Sequence, residues 1–169
     1  GIFTGVTVSD DWMSKMIKGD EKKRALWAKV LKSRGQIGIP YIFFTDNVSN
    51  GMPESYMRQG MAVLASNLCS EIALPSTERE SFVCDLSSMN ASKFEEWEST
   101  DAVETLAYFL DAVMSEFIEK SAKIEGLEKA NKFASRHRAL GIGVLGFHDL
   151  LQSKDIPFDD LEAYTWNSR

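Results

Sequence analysis

"SNLCSEIALP" (residues 66–75) is the stretch on which the reading of this chain turns. It holds Cys69, one of 2 cysteines in 169 residues, with Asn67 and Glu71 two positions to either side. In an extended segment successive side chains point to opposite faces, so residues spaced i, i+2, i+4 share one face. The spacing therefore predicts an amide, a thiol and a carboxylate on a single face. Two readings stay open: a working site, or the polar side of a half-buried strand.

The charges narrow the chemistry. A thiolate nucleophile is favoured by a cationic neighbour, and Glu71 brings the opposite sign. The trio is poorly built for a cysteine hydrolase. It suits a reaction in which the sulfur works uncharged while the carboxylate takes a proton from the same substrate. The second cysteine, Cys84 in "SFVCDLSSMN" (81–90), has the plain alternative of a small buried hydrophobe.

Working outward, "STERE" (76–80) reads as a charged turn joining two extended segments, 66–75 and 81–90, with Pro75 bounding the first. Residues 47–60, "NVSNGMPESYMRQG", read as loop. "IPYIFFTD" (39–46), between Gly38 and Asn47, reads as a buried strand. Residues 9–34 read as two helices. Ser9 or Asp10 caps the first and Gly19 ends it, while Gly35 stops the second. Downstream, Val103, Leu106, Ala107, Leu110, Val113, Met114 and Phe117 keep a 3, 4 spacing, which predicts an amphipathic core helix capped by Thr100 or Asp101. Residues 125–153 read as mostly helical around a glycine cluster, and a further helix begins in "IPFDDLEAYTWNSR" (156–169).

Composition excludes several classes. A formal net charge of −6 argues against a nucleic-acid surface, which needs a basic stripe. It leaves room for a small phosphorylated substrate, because a few local donors suffice. No apolar run approaches the ~18 residues of a membrane span, and no targeting signal is read at the start. Few cysteines imply no disulfide scaffold, and a reducing, cytoplasmic setting is expected. The 2 Cys and 2 His have no ligand spacing, so no structural zinc site is expected.

Three further motifs are weaker. "GIGVLG" (141–146) fits G-x-G-x-x-G, and Glu162 stands where a ribose-binding acid would be. The preceding "KANKFASRHRAL" is polar and helix-like, however, where a dinucleotide site needs a strand. Gly141, Gly143 and Gly146 are better read as letting a helix approach another backbone. His148 and Asp149 are adjacent and do not face each other on a helix. His137, between Arg136 and Arg138, reads as part of an exposed basic turn.

Taken together the segments resemble a known family. "SNLCSEIALP" is similar to the active-site segment of ribonucleotide reductase large subunits of the class I type. "SFVCDLSSMN" resembles the strand that follows it, with its redox cysteine. "GVTVSDDWMSKMIKGD" (5–20) and "PYIFF" (40–44) resemble segments upstream, and "RALGIGVLGFHDLLQSKDIPF" (138–158) resembles a Gly-rich segment downstream. The order is kept over nearly the whole chain, and the short connection between the cysteines is more like that of a phage-type reductase.

The resemblance implies an α/β fold: a helix-rich, partial ten-stranded α/β barrel, with residues 1–169 as a single partial domain from its centre. It implies that Cys69 carries a thiyl radical, that Glu71 accepts a proton, that Asn67 orients substrate hydroxyls, and that Cys84 is one of two thiols that become a disulfide. No cofactor would reside in this chain, the radical being supplied by a di-metal small subunit. The implied partners are a ribonucleoside diphosphate, that small subunit, complementary large-subunit segments and a thioredoxin- or glutaredoxin-type reductant, with no nucleic acid and no membrane. No third cysteine exists to pair with Cys84, so the chain alone is expected to be inactive. A class II cobalamin-dependent reductase and a non-catalytic helical interaction module are the rival readings.

Overall fold

Val6 and Val8 alternate with Gly5 and Thr7 in the first strand, β1 (Gly5–Val8), whose inward end is the buried Val8. The computed structural model describes residues 3–169. They gather into two compact units, one ending at Phe82 and the other spanning Val83–Arg169.

In the first unit β1 pairs in parallel with β2 (Tyr41–Phe44), Gly5 opposite Tyr41 and Val8 opposite Phe44. Parallel neighbours need a crossover, here made by two helices. α1 (Asp10–Ile17) starts where Ser9 accepts a hydrogen bond from the Trp12 amide, and its first-turn Asp10 and Asp11 suit the helix dipole. Gly19, at φ +108°, lies just past its end. α2 (Glu21–Ile37) is capped by Asp20, which accepts from the Lys23 amide at 3.0 Å.

Gly35 does not stop α2. An interior glycine costs a helix only about 1 kcal/mol, and the stop comes at Gly38, whose φ of +78° suits a left-handed cap. Ser33 and Arg34 then donate to the carbonyls of Ile39 and Pro40, fixing the exit toward β2. The strand is shorter and less buried than its sequence suggests: Thr45 already begins α3 (Thr45–Asn50). The expected loop 47–60 contains most of α3 and all of α4 (Glu54–Arg58). The "STERE" turn holds, as a bridge between Thr77 and Glu80.

The second unit opens with β3 (Asp85–Asn90), followed by a 3-10 turn at Ala91–Lys93 and α5 (Phe94–Trp97). α6 (Ala102–Ser121) keeps its predicted apolar stripe. Leu110 and Met114 are buried, Leu106, Ala107, Val113 and Phe117 half-buried, and only Val103 of the set is exposed. Thr100 Oγ1 accepts from the Ala102 amide, while Asp101 sits at the cap position without a side-chain bond. α7 (Glu128–His137) packs on α6. Asn131 ties the two by donating to Ile118 O and to the hydroxyl of buried Ser121.

The glycine cluster is a strand, not a helix. β4 (Leu140–Leu145) runs parallel to β3, from Asp85 opposite Leu140 to Asn90 opposite Leu145. The close-approach reason for its glycines stands, with β3 as the neighbour. A Cβ on Gly141 would lie 2.5 Å from Leu86 Cδ2, and one on Gly143 3.0 Å from Ser88 Oγ. Gly146, at φ +71°, then opens α8 (Phe147–Ser153), and α9 (Leu161–Asn167) packs Ala163 against Leu151 and Ile156.

Candidate active site

Residues 66–72 do not form a strand; they make a tight loop. The Ser70 amide donates to Asn67 O at 3.1 Å, which closes a turn with Leu68 and Cys69 at its centre. Ser70 sits at φ +65°, the left-handed region that reverses the chain after such a turn. Leu68 and Cys69 are exposed at the tip, and Cys69 is a free thiol.

The turn brings the two polar neighbours of Cys69 together. Asn67 Nδ2 donates to Glu71 Oε1 at 2.7 Å. The other side of the Asn67 amide is also engaged: Oδ1 accepts from the Ile72 amide at 3.2 Å. The extended-face expectation is thus corrected in its backbone, while the association of Asn67 with Glu71 is present and tighter. Two residues missed by the sequence reading support the loop. Ser66 Oγ donates to Ile72 O at 2.7 Å, and Thr7 Oγ1, from β1, donates to Leu64 O at 3.1 Å. A hydroxyl residue directly before a loop Asn is the available signal, since such side chains bond nearby backbone.

A cleft of about 220 Å³ lies between this loop and the sheet, lined among others by Thr4, Thr7, Tyr41, Ser66 and Asn67. Its mixed polar and apolar walls could receive part of a small polar molecule.

Cys84 belongs to the second unit, one residue before β3. It is a half-buried thiol, its Sγ 3.8 Å from Asp85 O. Gly141 lies beside it: a Cβ there would make an ordinary contact with Sγ at 3.6 Å. The next residue, Asp85, has Oδ2 buried without a hydrogen-bond partner among the described residues.

The weaker motifs resolve differently. In "GIGVLG" Gly141 and Gly143 lie on the strand itself, only Gly146 stands between strand and helix, and Glu162 is an exposed residue of α9. His148 and Asp149 are exposed neighbours on α8. His137 is not in an exposed turn: it ends α7, half-buried, with its ring 4.5 Å from that of Phe133. Among the described residues no helix is long and apolar enough to cross a membrane. Among them, too, no group of three or more His, Cys, Asp or Glu is placed to hold a metal ion.

Comparison with known proteins gives one family. The family model "Ribonucleotide reductase, barrel domain" matches residues 3–169. The Actinobacillus ureae class Id ribonucleotide reductase alpha subunit superposes with a TM-score of 0.83 at 55% identity, over 98% of this chain and 32% of that one. The ribonucleoside-diphosphate reductase large subunit of Invertebrate iridescent virus 3 is 35% identical over 90% of this chain and 24% of its own length. A protein of Frog virus 3 (isolate Goorha), also described as a large subunit, is 33% identical over 94% of this chain and 31% of its own length. The chain thus spans about a third or less of these relatives.

Proposed function

This chain belongs to the ribonucleotide reductase barrel family, and we propose that it carries the reacting thiol, the base and the orienting amide for radical reduction of a ribonucleoside diphosphate. The observation that carries the reading is the Cys69 loop: an exposed thiol at the tip, with Asn67 hydrogen-bonded to Glu71 at 2.7 Å directly behind it. A sugar ring offers neighbouring C–H and O–H groups, and this arrangement offers a separate partner for each.

In this reading Cys69, as a thiyl radical, takes the 3′ hydrogen atom and becomes a thiol, leaving the radical on the sugar. Glu71 takes the 3′-hydroxyl proton, and the 2′-hydroxyl takes a proton from one thiol of the Cys84 pair and leaves as water. Asn67 donates to the substrate hydroxyls and sets their orientation. Cys84 and a second thiol from another segment of the large subunit deliver two electrons and their remaining proton to C2′ and close to a disulfide, Glu71 returns its proton to the 3′ oxygen, and Cys69 returns its hydrogen atom to C3′. A thioredoxin- or glutaredoxin-type protein then reduces the disulfide, which requires a reducing, cytoplasmic setting. The radical comes from a di-metal small subunit, a class I arrangement supported by the likeness to a class Id alpha subunit.

The chain does not turn over alone in this reading. Among the described residues there are two sheets of two strands each, and parallel sheets are normally covered on both faces. Leu86, Ile142, Val144 and Leu145 are nevertheless exposed. Complementary large-subunit segments would cover them.

The test is Cys69→Ala in the assembled large subunit, with its radical-generating partner and a thiol reductant. Turnover should fall to background with folding unchanged, as judged by circular dichroism. Deoxynucleotide formation at more than a few per cent of the parent rate refutes the assignment.

A further inference from the structure

We propose that Ser66 is a positioning residue for the Cys69 loop, its hydroxyl holding the loop neck so that Asn67 and Glu71 keep their spacing when substrate occupies them. The proposal rests on the functional reading of Cys69, Asn67 and Glu71 given above.

The loop hangs on Ile72. That side chain is 9% exposed and anchored in the core of its unit, and both of its backbone polar groups are held by side chains from the other end of the loop. Its N–H goes to Asn67 Oδ1 at 3.2 Å, and its C=O accepts from Ser66 Oγ at 2.7 Å. Ser66 Oγ also stands 3.2 Å from Asn67 Oδ1, but a hydroxyl has one proton. The shorter contact to Ile72 O takes it. Upstream, Thr7 pins Leu64 O to β1, so the chain reaches Ser66 from a fixed point.

These ties differ in what catalysis asks of them. Asn67 has a double duty: its amide holds Ile72 and Glu71, and in the proposed reaction it also addresses substrate hydroxyls. Its Nδ2 carries two N–H donors, one on Glu71 and one left for substrate, so the side chain that holds Ile72 is the one that substrate pulls on. The Ser66 bond to Ile72 O uses none of the three reacting side chains, so substrate hydroxyls engaged by Asn67 do not draw on it. Without it, the neck would depend on Asn67 alone, and Glu71, adjacent to Ile72, would lose its fixed backbone. Positioning errors of this kind act on kcat more than on substrate binding.

The experiment uses the full large subunit containing this chain, assembled with its small subunit, in Ser66→Ala, Ser66→Thr and Cys69→Ser forms. Two readouts are taken: steady-state kcat and KM, and hydrogen exchange at the Ile72 amide. Loss of one hydrogen bond should speed that exchange roughly 3- to 10-fold. For Ser66→Ala we expect this, with kcat down about 10-fold and KM changed less than about 2-fold. Threonine keeps the hydroxyl and should restore both. Parent kcat in Ser66→Ala, with Cys69→Ser inactive, overturns the positioning role alone. Retained turnover in Cys69→Ser overturns the functional reading and the positioning role with it. Should alanine also speed exchange across β1 and β2, the threonine form decides: recovery of kcat and of Ile72 protection supports the proposal, and failure to recover either overturns it.

Discussion

Replacing Gly146 by alanine should cost the second unit about 2–3 kcal/mol, about 1 kcal/mol of it shared with Asn90. Gly146 has φ +71° and ψ 15°, and a left-handed backbone costs an L-residue about 1–2 kcal/mol. The added Cβ would also stand 2.4 Å from Asn90 Oδ1 and 3.3 Å from Ser92 N. That oxygen is not a loose end. It accepts from the Ser92 amide at 3.1 Å and the Ser92 hydroxyl at 2.8 Å, capping the 3-10 turn after β3. Pushing it aside forfeits a cap of about 1 kcal/mol. Asn90→Ala alone forfeits the same cap. The double variant should therefore be no worse than Gly146→Ala, giving a coupling of about −1 kcal/mol. Urea unfolding followed by tryptophan fluorescence measures this, because Trp97 Nε1 donates to Asn90 O at 2.9 Å and reports the region. Gly141→Ala is the control. Its 2.5 Å conflict is with Leu86 Cδ2, the end of a side chain 52% exposed and free to turn away. Strictly additive single and double costs, or a Gly146→Ala loss below about 0.5 kcal/mol, would refute the reasoning.

Two more outcomes follow from local geometry. Ser70→Gly should leave the Cys69 loop intact, since glycine accepts φ +65° without strain, whereas Ser70→Val should raise the exchange rate of the Ile72 amide by roughly tenfold, β-branching being least tolerant there. Glu95 is held below the ordinary carboxylate range, first by the hydrogen bond from Lys154 and then by its charge. A depressed acid stabilises the fold above its unfolded value and loses that contribution as pH falls through its folded value. Lys154→Met should therefore raise the Glu95 titration midpoint in a carbon-13 NMR titration and flatten the acid side of the stability curve. An unmoved midpoint would contradict the pairing.

The elements legible in the sequence were those whose signals are local. Ser9 before a charged first turn, and the seven-residue apolar stripe of α6, needed no tertiary information beyond a face to bury. The misreadings share a cause. The helix-ending role that the sequence suggests for Gly35 belongs to Gly38, because a glycine's φ is not visible from its neighbours. β4 read as helix because its glycines dilute the two-residue alternation of a strand. They are there for Leu86, Ser88 and Asn90 of β3, some fifty residues away. Asn90 and Gly146 each look unremarkable until the parallel register of β3 with β4 sets one above the other.

The Cys69 loop is the instructive case, because the extended backbone that its spacing predicts would not bring Asn67 and Glu71 together. On a strand, Asn67 and Glu71 would be four residues apart and about 13 Å from one another. That separation exceeds the span of the hydroxyls on one sugar and leaves no direct bond between amide and carboxylate. The turn through Leu68 and Cys69 reverses the chain, closes the pair to a 2.7 Å hydrogen bond and pushes the thiol outward. Three unusual features make the reversal possible. Ser70 adopts a left-handed backbone, Asn67 stands in for a ladder acceptor, and Ser66 stands in for a ladder donor. In the proposed reading Asn67 and Glu71 serve both the chemistry and the scaffold that folds it together, whereas Ser66 and Ser70 serve the scaffold alone.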